Sequence, residues 1–174
     1  MTEREKYITD FFKYWEGGFG TDGRDCGGTL SGVTLCTYRH FFGNDKTVED
    51  LKKMTDAEWF QIFRAGFYDK IKGDDIVNDS LCLLIVDWCW MSGVKTAIRK
   101  VQSAIGVKSD GVVGPKTLYA LNSVPREAFD KIFGRREYFY QKLVEKNPEN
   151  KKYIKGWTRR LKAIKYIPKC NCGK

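Results

Sequence analysis

A chain of 174 residues with 42% hydrophobic content suits one domain or two closely joined halves, and its composition excludes a disordered polymer. The formal net charge of +9 draws it towards polyanions such as nucleic acid, an anionic membrane or the bacterial cell wall, without choosing among them. One histidine, His40, and six cysteines at no common zinc spacing argue against a metal centre and against a Cys–His nucleophile pair, so neither a metal nor a cofactor is expected.

Met1 to Lys6 is charged and no apolar stretch follows, so no secretory signal is read there. Ile8, Phe11, Phe12 and Trp15 fall at helical spacing, and Gly17 and Gly18 stop this first helix. Residues 19 to 33, rich in Gly, Asp and Thr, predict a loop or small β-hairpin. A short helix capped by Thr34 should end before Gly43. Thr47 with Asp50, and Thr55 with Glu58, mark two further helix starts, the second helix carrying Trp59, Ile62, Phe63 and Phe67 on one side.

Residues 78 to 92 predict a helix that is apolar nearly all round, hence central, with Cys82 and Cys89 as core thiols. Its longest apolar run, Leu81 to Trp90, contains Asp87 and is too short to span a bilayer. Shorter helices follow over Thr96 to Ile105 and over 115 to 122, separated by a turn from Asp110 to Pro115. Two long helices, about 125 to 146 and 148 to 164, complete the chain, and Lys and Arg thicken towards its end.

Glu16 is the most informative residue. It stands at a helix C-terminus, an unfavourable place for an anion, and two glycines follow it that leave room for a bulky substrate. Trp15 and Phe19 flank it, and a carboxyl among aromatics loses solvation, which favours the protonated form that a general acid needs. Asp25, with Asp22 nearby, offers the second carboxyl that glycoside hydrolysis commonly uses. Thr29, Ser31 and Thr34 supply hydroxyls that bind sugar, hold a water, or cap the hairpin and the next helix.

The segment Glu16-Gly17-Gly18-Phe19, then Asp25, Gly27-Gly28-Thr29 and Gly32-Val33-Thr34, resembles the opening signature of the family 108 glycoside hydrolases, a family of N-acetylmuramidases. Val86-Asp87-Trp88-Cys89-Trp90-Met91-Ser92-Gly93 is similar to that family's F-D-x-x-x-N-S-G. Asp110-Gly111-Val112-Val113-Gly114-Pro115-Lys116-Thr117-Leu118 and Gly156-Trp157-Thr158-Arg159-Arg160 resemble the predicted peptidoglycan-binding domain that accompanies it. The sequence departs from the pattern at Phe19, where the family has Tyr, at Met91, where it has Asn, and in a Gly27-to-Thr34 stretch one residue shorter.

The resemblance implies a mainly α, lysozyme-like (α+β) fold with a small β-hairpin after the first helix. It implies a catalytic half over residues 1–95, a peptidoglycan-binding helical half over 96–167 packed with it into one globule, and a tail over 168–174. The implied function is hydrolysis of the β-1,4 bond between N-acetylmuramic acid and N-acetylglucosamine. The family's proton donor falls on Glu16; the Glu-to-Asp spacing and the T-x-x-G segment also look like those of phage-type lysozymes, by which Asp25 and Thr29 would be catalytic, and Trp15, Phe19, Thr34 and Asp87 would contact substrate. The expected partner is bacterial peptidoglycan, with no nucleic acid, no stable membrane insertion and a monomeric state. The chain would be made in the cytoplasm and reach the wall or periplasm by export or holin-mediated release. The alternative is a non-catalytic peptidoglycan-binding or secretion-related protein of the same fold, for which Met91 and the shortened loop speak.

Overall fold

The computed structural model describes residues 1–21 and 26–168, and it divides into two compact units, Met1–Gly66 and Phe67–Lys174. The fold is mainly α with a small antiparallel hairpin after the first helix, as expected.

In the first unit, α1 (Glu3–Trp15) opens with a capping box in which the Thr2 hydroxyl accepts from the Glu5 N–H and the Glu5 carboxylate accepts from the Thr2 N–H. Strands β1 (Thr29–Leu30) and β2 (Val33–Thr34) pair through the two-residue turn Ser31-Gly32. Both turn residues have positive φ, 48° and 76°, which matches the right-handed strand twist and suits Gly at the second position. Gly20 joins the ladder by two backbone hydrogen bonds with Thr29, so the stretch after Glu16 runs alongside β1.

Helix α2 (Leu35–Phe42) starts at Thr34, whose hydroxyl accepts from the Thr37 N–H, and stops at Gly43. Helices α3 (Val48–Lys52) and α4 (Asp56–Phe63) carry the capping boxes expected at Thr47 and Thr55. The apolar face of α4 meets α1 in a core of Phe12, Trp59 and Phe63, with Trp59 stacked on Phe63 at 5.4 Å and Phe12 edge-on to Phe63 at 5.5 Å. The Trp59 indole N–H donates to the Ser31 carbonyl at 3.0 Å, which ties α4 to the hairpin turn.

A disulfide joins Cys26 to Cys36, fastening the loop ahead of β1 to α2. Spacing alone assigned no partner to either cysteine.

Phe67 does not lie on the α4 stripe. The α-helical pattern ends at Phe63, and Arg64–Tyr68 widens into a π turn followed by two 3-10 turns, Asp69–Ile71 and Gly73–Asp75. That register change places Phe67 in the second unit, where its ring packs on Trp90 at 4.7 Å.

In the second unit, α5 (Asp79–Ser92) is capped by Asn78 and buried on all sides from Ser80 to Cys89. It packs against α6 (Val94–Ala104) and α8 (Pro125–Lys146), while α7 (Pro115–Ser123) and α9 (Lys151–Ala163) pack on α8. Gly93, at φ 80°, both ends α5 and begins α6, so α6 starts two residues before the expected Thr96. Cys82 and Cys89 are buried thiols, and burial pushes Cys89 up to about 12, which makes it a packing group and not a nucleophile. No helix among the described residues is long and apolar enough to cross a membrane.

Candidate active site

Glu16 is the residue at which α1 gives way to extended chain. Its φ and ψ are −85° and 134°, and its N–H still donates to the Phe12 carbonyl at 2.8 Å, so the side chain leaves the helix axis at a fixed point. Gly17 and Gly18 have open space where a Cβ would stand. The Gly17 carbonyl accepts from the Ser31 N–H at 3.2 Å, which holds the hairpin turn beside the helix end. Glu16 is half-buried, and its Oε1 is shielded from solvent.

The carboxyl lines a cavity of about 190 Å³ whose other walls include Phe12 and Lys13 of α1, Ser31 of the hairpin turn, and Asp56 and Trp59 of α4. Apolar and polar groups both line it, which suits a sugar ring with apolar faces and a polar rim. Lys13 pairs with Asp56 at 2.8 Å and links α1 to α4 across the cavity wall. Both partners are largely exposed, so the pair adds little stability.

Among the described residues expected to form the site, Glu16 lines this cavity together with Ser31, one of the three hydroxyl residues offered for sugar or water. Asp25, with Asp22, lies outside the described residues. Thr29 has its backbone locked to Gly20. Trp15 packs against Phe11 and Tyr14. Phe19 lies over Gly28, where a Cβ would come within 2.7 Å of the ring, and under the Lys52 ammonium at 5.0 Å.

Two expected substrate contacts have structural work instead. Thr34 spends its hydroxyl on the α2 cap, 3.1 Å from the Thr37 N–H. Asp87 has no solvent exposure. Its Oδ2 accepts from Arg136 Nη2 at 2.6 Å and its Oδ1 from Arg160 Nε at 2.8 Å, so both oxygens are taken in the core. Lys13, Asp56 and Trp59 were not foreseen as lining residues. The sequence shows Asp56 as the first residue of a capped helix and Trp59 as part of a core stripe, and nothing local marks either as facing a cavity.

The glycosyl hydrolase 108 family matches residues 9–93, and a predicted peptidoglycan domain matches residues 96–162. Among solved structures, the chain is similar to the structure of Brucella abortus SagA, with 26% identity and a TM-score of 0.79, over 92% of this chain and 90% of that one. No match was found among curated proteins. The fold is lysozyme-like.

The family boundary near residue 93 and the packing boundary at Gly66 differ because α5 belongs to the hydrolase family by sequence but, being apolar all round, packs among the helices that follow it. Two family matches in this order span residue 9 to residue 162: residues 9–93 match the glycosyl hydrolase 108 family and residues 96–162 match a predicted peptidoglycan domain.

Proposed function

We propose that this glycoside hydrolase is a muramidase that cleaves the β-1,4 bond between N-acetylmuramic acid and N-acetylglucosamine, with Glu16 as the general acid. The observation that supports it is the placement of the Glu16 carboxyl, shielded at one oxygen, in a cavity walled by the end of α1, the hairpin turn and the start of α4. The helix C-terminus gives an anion no electrostatic benefit, so a carboxyl there is better explained by chemistry than by stability.

In the proposed reaction Glu16 protonates the glycosidic oxygen as the bond to the leaving sugar breaks. Asp25, by the likeness of its spacing from Glu16 to that of phage-type lysozymes, takes the proton from an attacking water, with Thr29 helping to place that water. An inverting displacement follows from this assignment, and NMR of the first product should show the inverted anomer.

Mass spectrometry of digested peptidoglycan tests the bond. Fragments ending in reducing muramic acid are expected. Fragments ending in reducing glucosamine, or free peptides with intact glycan, would overturn the proposal.

A further inference from the structure

One face of α6 in the second unit forms an open cavity of about 470 Å³, lined by Lys95, Thr96, Arg99, Lys100, Ser103 and Ser109. The lining carries three cations and three hydroxyls and no carboxylate. Three other exposed cations of this unit are paired along their own helices: Arg126 with Asp130, Lys131 with Glu127, and Lys142 with Glu145. Lys95, Arg99 and Lys100 have no such acidic partner among the described residues.

The arrangement is unfavourable for the folded chain by itself. Lys95 and Arg99 are like charges at i,i+4, which repel. Lys95 also stands in the first turn of α6, where the helix dipole disfavours a cation and no acidic residue offsets it. A bound anion would remove both penalties.

The cavity is also held in shape. Gln102, buried behind it, donates to Asp110 Oδ1 at 2.8 Å and to the Val112 carbonyl at 2.9 Å, and accepts from the Gly111 N–H at 2.8 Å. These bonds press the 110–112 turn onto α6. Gly111 has φ 84°, and a Cβ there would meet the Lys95 and Arg99 stems at 3.1 and 3.3 Å. The stems are therefore fixed by packing while the charged ends stay exposed. Arg135 donates to the Ser103 hydroxyl and brings a fourth cation to the same wall.

We propose that this cavity binds the carboxylates of peptidoglycan peptide stems. The inference rests on the reading of peptidoglycan as substrate, since the cavity opens within the segment that matches a predicted peptidoglycan domain. When the lactyl group of muramic acid is amide-linked to a stem, the glycan itself is uncharged and the wall's carboxylates lie on the stems. A planar guanidinium pairs with a carboxylate through two parallel hydrogen bonds, lysines add point charges, and hydroxyls can meet peptide amides. The site would thus direct the enzyme to glycan that carries stems.

The test is a binding assay with the full chain carrying Glu16→Gln, so that the wall is not consumed. Two preparations are compared, both stripped of phosphate polymers: wall with its stem carboxylates free, and the same wall with those carboxylates converted to amides, since removing the stems with an amidase would uncover the lactyl carboxylates. The parent should bind the wall with free stem carboxylates about tenfold more tightly than the amidated wall, a preference that fades at high salt. Lys95→Gln, Arg99→Gln and Lys100→Gln together should abolish the preference with no loss of melting temperature, while Lys95→Arg with Lys100→Arg should keep it.

Equal binding of the parent to both preparations, a preference retained by the triple variant, or affinity that appears only when phosphate polymers are left in place would each overturn the proposal. With Glu16 restored, the triple variant should cut the amidated wall at the parental rate. If the parent itself cuts no glycan, the muramidase reading fails while the binding comparison still decides this one.

Discussion

Trp15-Glu16 in the first unit and Asp87-Trp88 in the second are near mirror images in sequence, a carboxyl residue beside a tryptophan in helix-forming chain, yet the fold treats them oppositely. Glu16 falls where its helix ends, so its side chain leaves the α1 axis and reaches a cavity wall. Asp87 falls in the middle of a helix that is buried all round, and two arginines compensate its charge. Arg136 also donates to the Tyr140 hydroxyl at 2.8 Å and lies over the Trp88 and Tyr140 rings, so the ion cluster is built into the packing of α5, α8 and α9. A carboxyl at an element's end can meet substrate, and one inside a buried element must be neutralised from within.

Substitutions can break this comparison at either end. Glu16→Gln should lower the rate of glycan cleavage by about 10²–10⁴-fold, since the amide cannot protonate the leaving oxygen. Its melting temperature should hold or rise slightly, because an anion is removed from a helix C-terminus. A parental clearing rate on purified cell wall would show that Glu16 is not the acid.

Asp87→Asn should do the reverse. It leaves two buried arginines undercompensated, which is expected to cost about 3–5 kcal/mol in chemical denaturation. The surviving folded molecules should cut at the parental rate. A stable Asp87→Asn protein with weakened substrate binding would restore Asp87 as a substrate contact.

Cys36→Ser sharpens the picture of the first unit. Opening a cross-link between residues 10 apart in sequence should lower stability by about 3 kcal/mol under oxidising conditions. Under reducing conditions the variant and the parent should melt alike, and a difference that persists with reductant would mean that the loss is one of packing.

The smallest effect belongs to the start of α4. Thr55→Ala removes the cap and should cost about 1 kcal/mol by thermal melting. Backbone and side-chain hydrogen bonds from Thr55, together with the Tyr38 hydroxyl, hold the Glu58 carboxyl below its ordinary value. A carboxylate depressed in the folded state stabilises above its unfolded pKa and loses that contribution as pH falls through the folded one. The gap between Thr55→Ala and parent should therefore narrow on acidification below the ordinary glutamate range. A gap that is constant down to low pH would separate the cap from the carboxylate.

The local signals in the sequence were read with little loss. Helix starts at Thr34, Thr47 and Thr55, the stop at Gly43 and the Pro-initiated α7 and α8 are short-range events, decided by a hydroxyl that reaches an N–H three residues on, a backbone freed of Cβ, or a fixed φ. Glu16 was legible for the same reason: a carboxyl against two glycines at a helix end is a local pattern, and the family resemblance rested on runs of adjacent residues. What surrounds Glu16 was not legible. Lys13 and Asp56 are 43 residues apart, Ser31 and Trp59 are 28 apart, and only the packing of α1, the hairpin and α4 brings them to one wall.

Asp87 shows the opposite case. Its motif resembled a substrate-contacting one, but its partners Arg136 and Arg160 come from 49 and 73 residues away. Whether a buried carboxylate binds sugar or holds helices together depends on which charges arrive beside it, and sequence spacing does not carry that information. The π turn at Arg64–Tyr68 was likewise out of reach, because the apolar stripe through Phe67 fits an unbroken helix until tertiary contacts claim its two ends for different units.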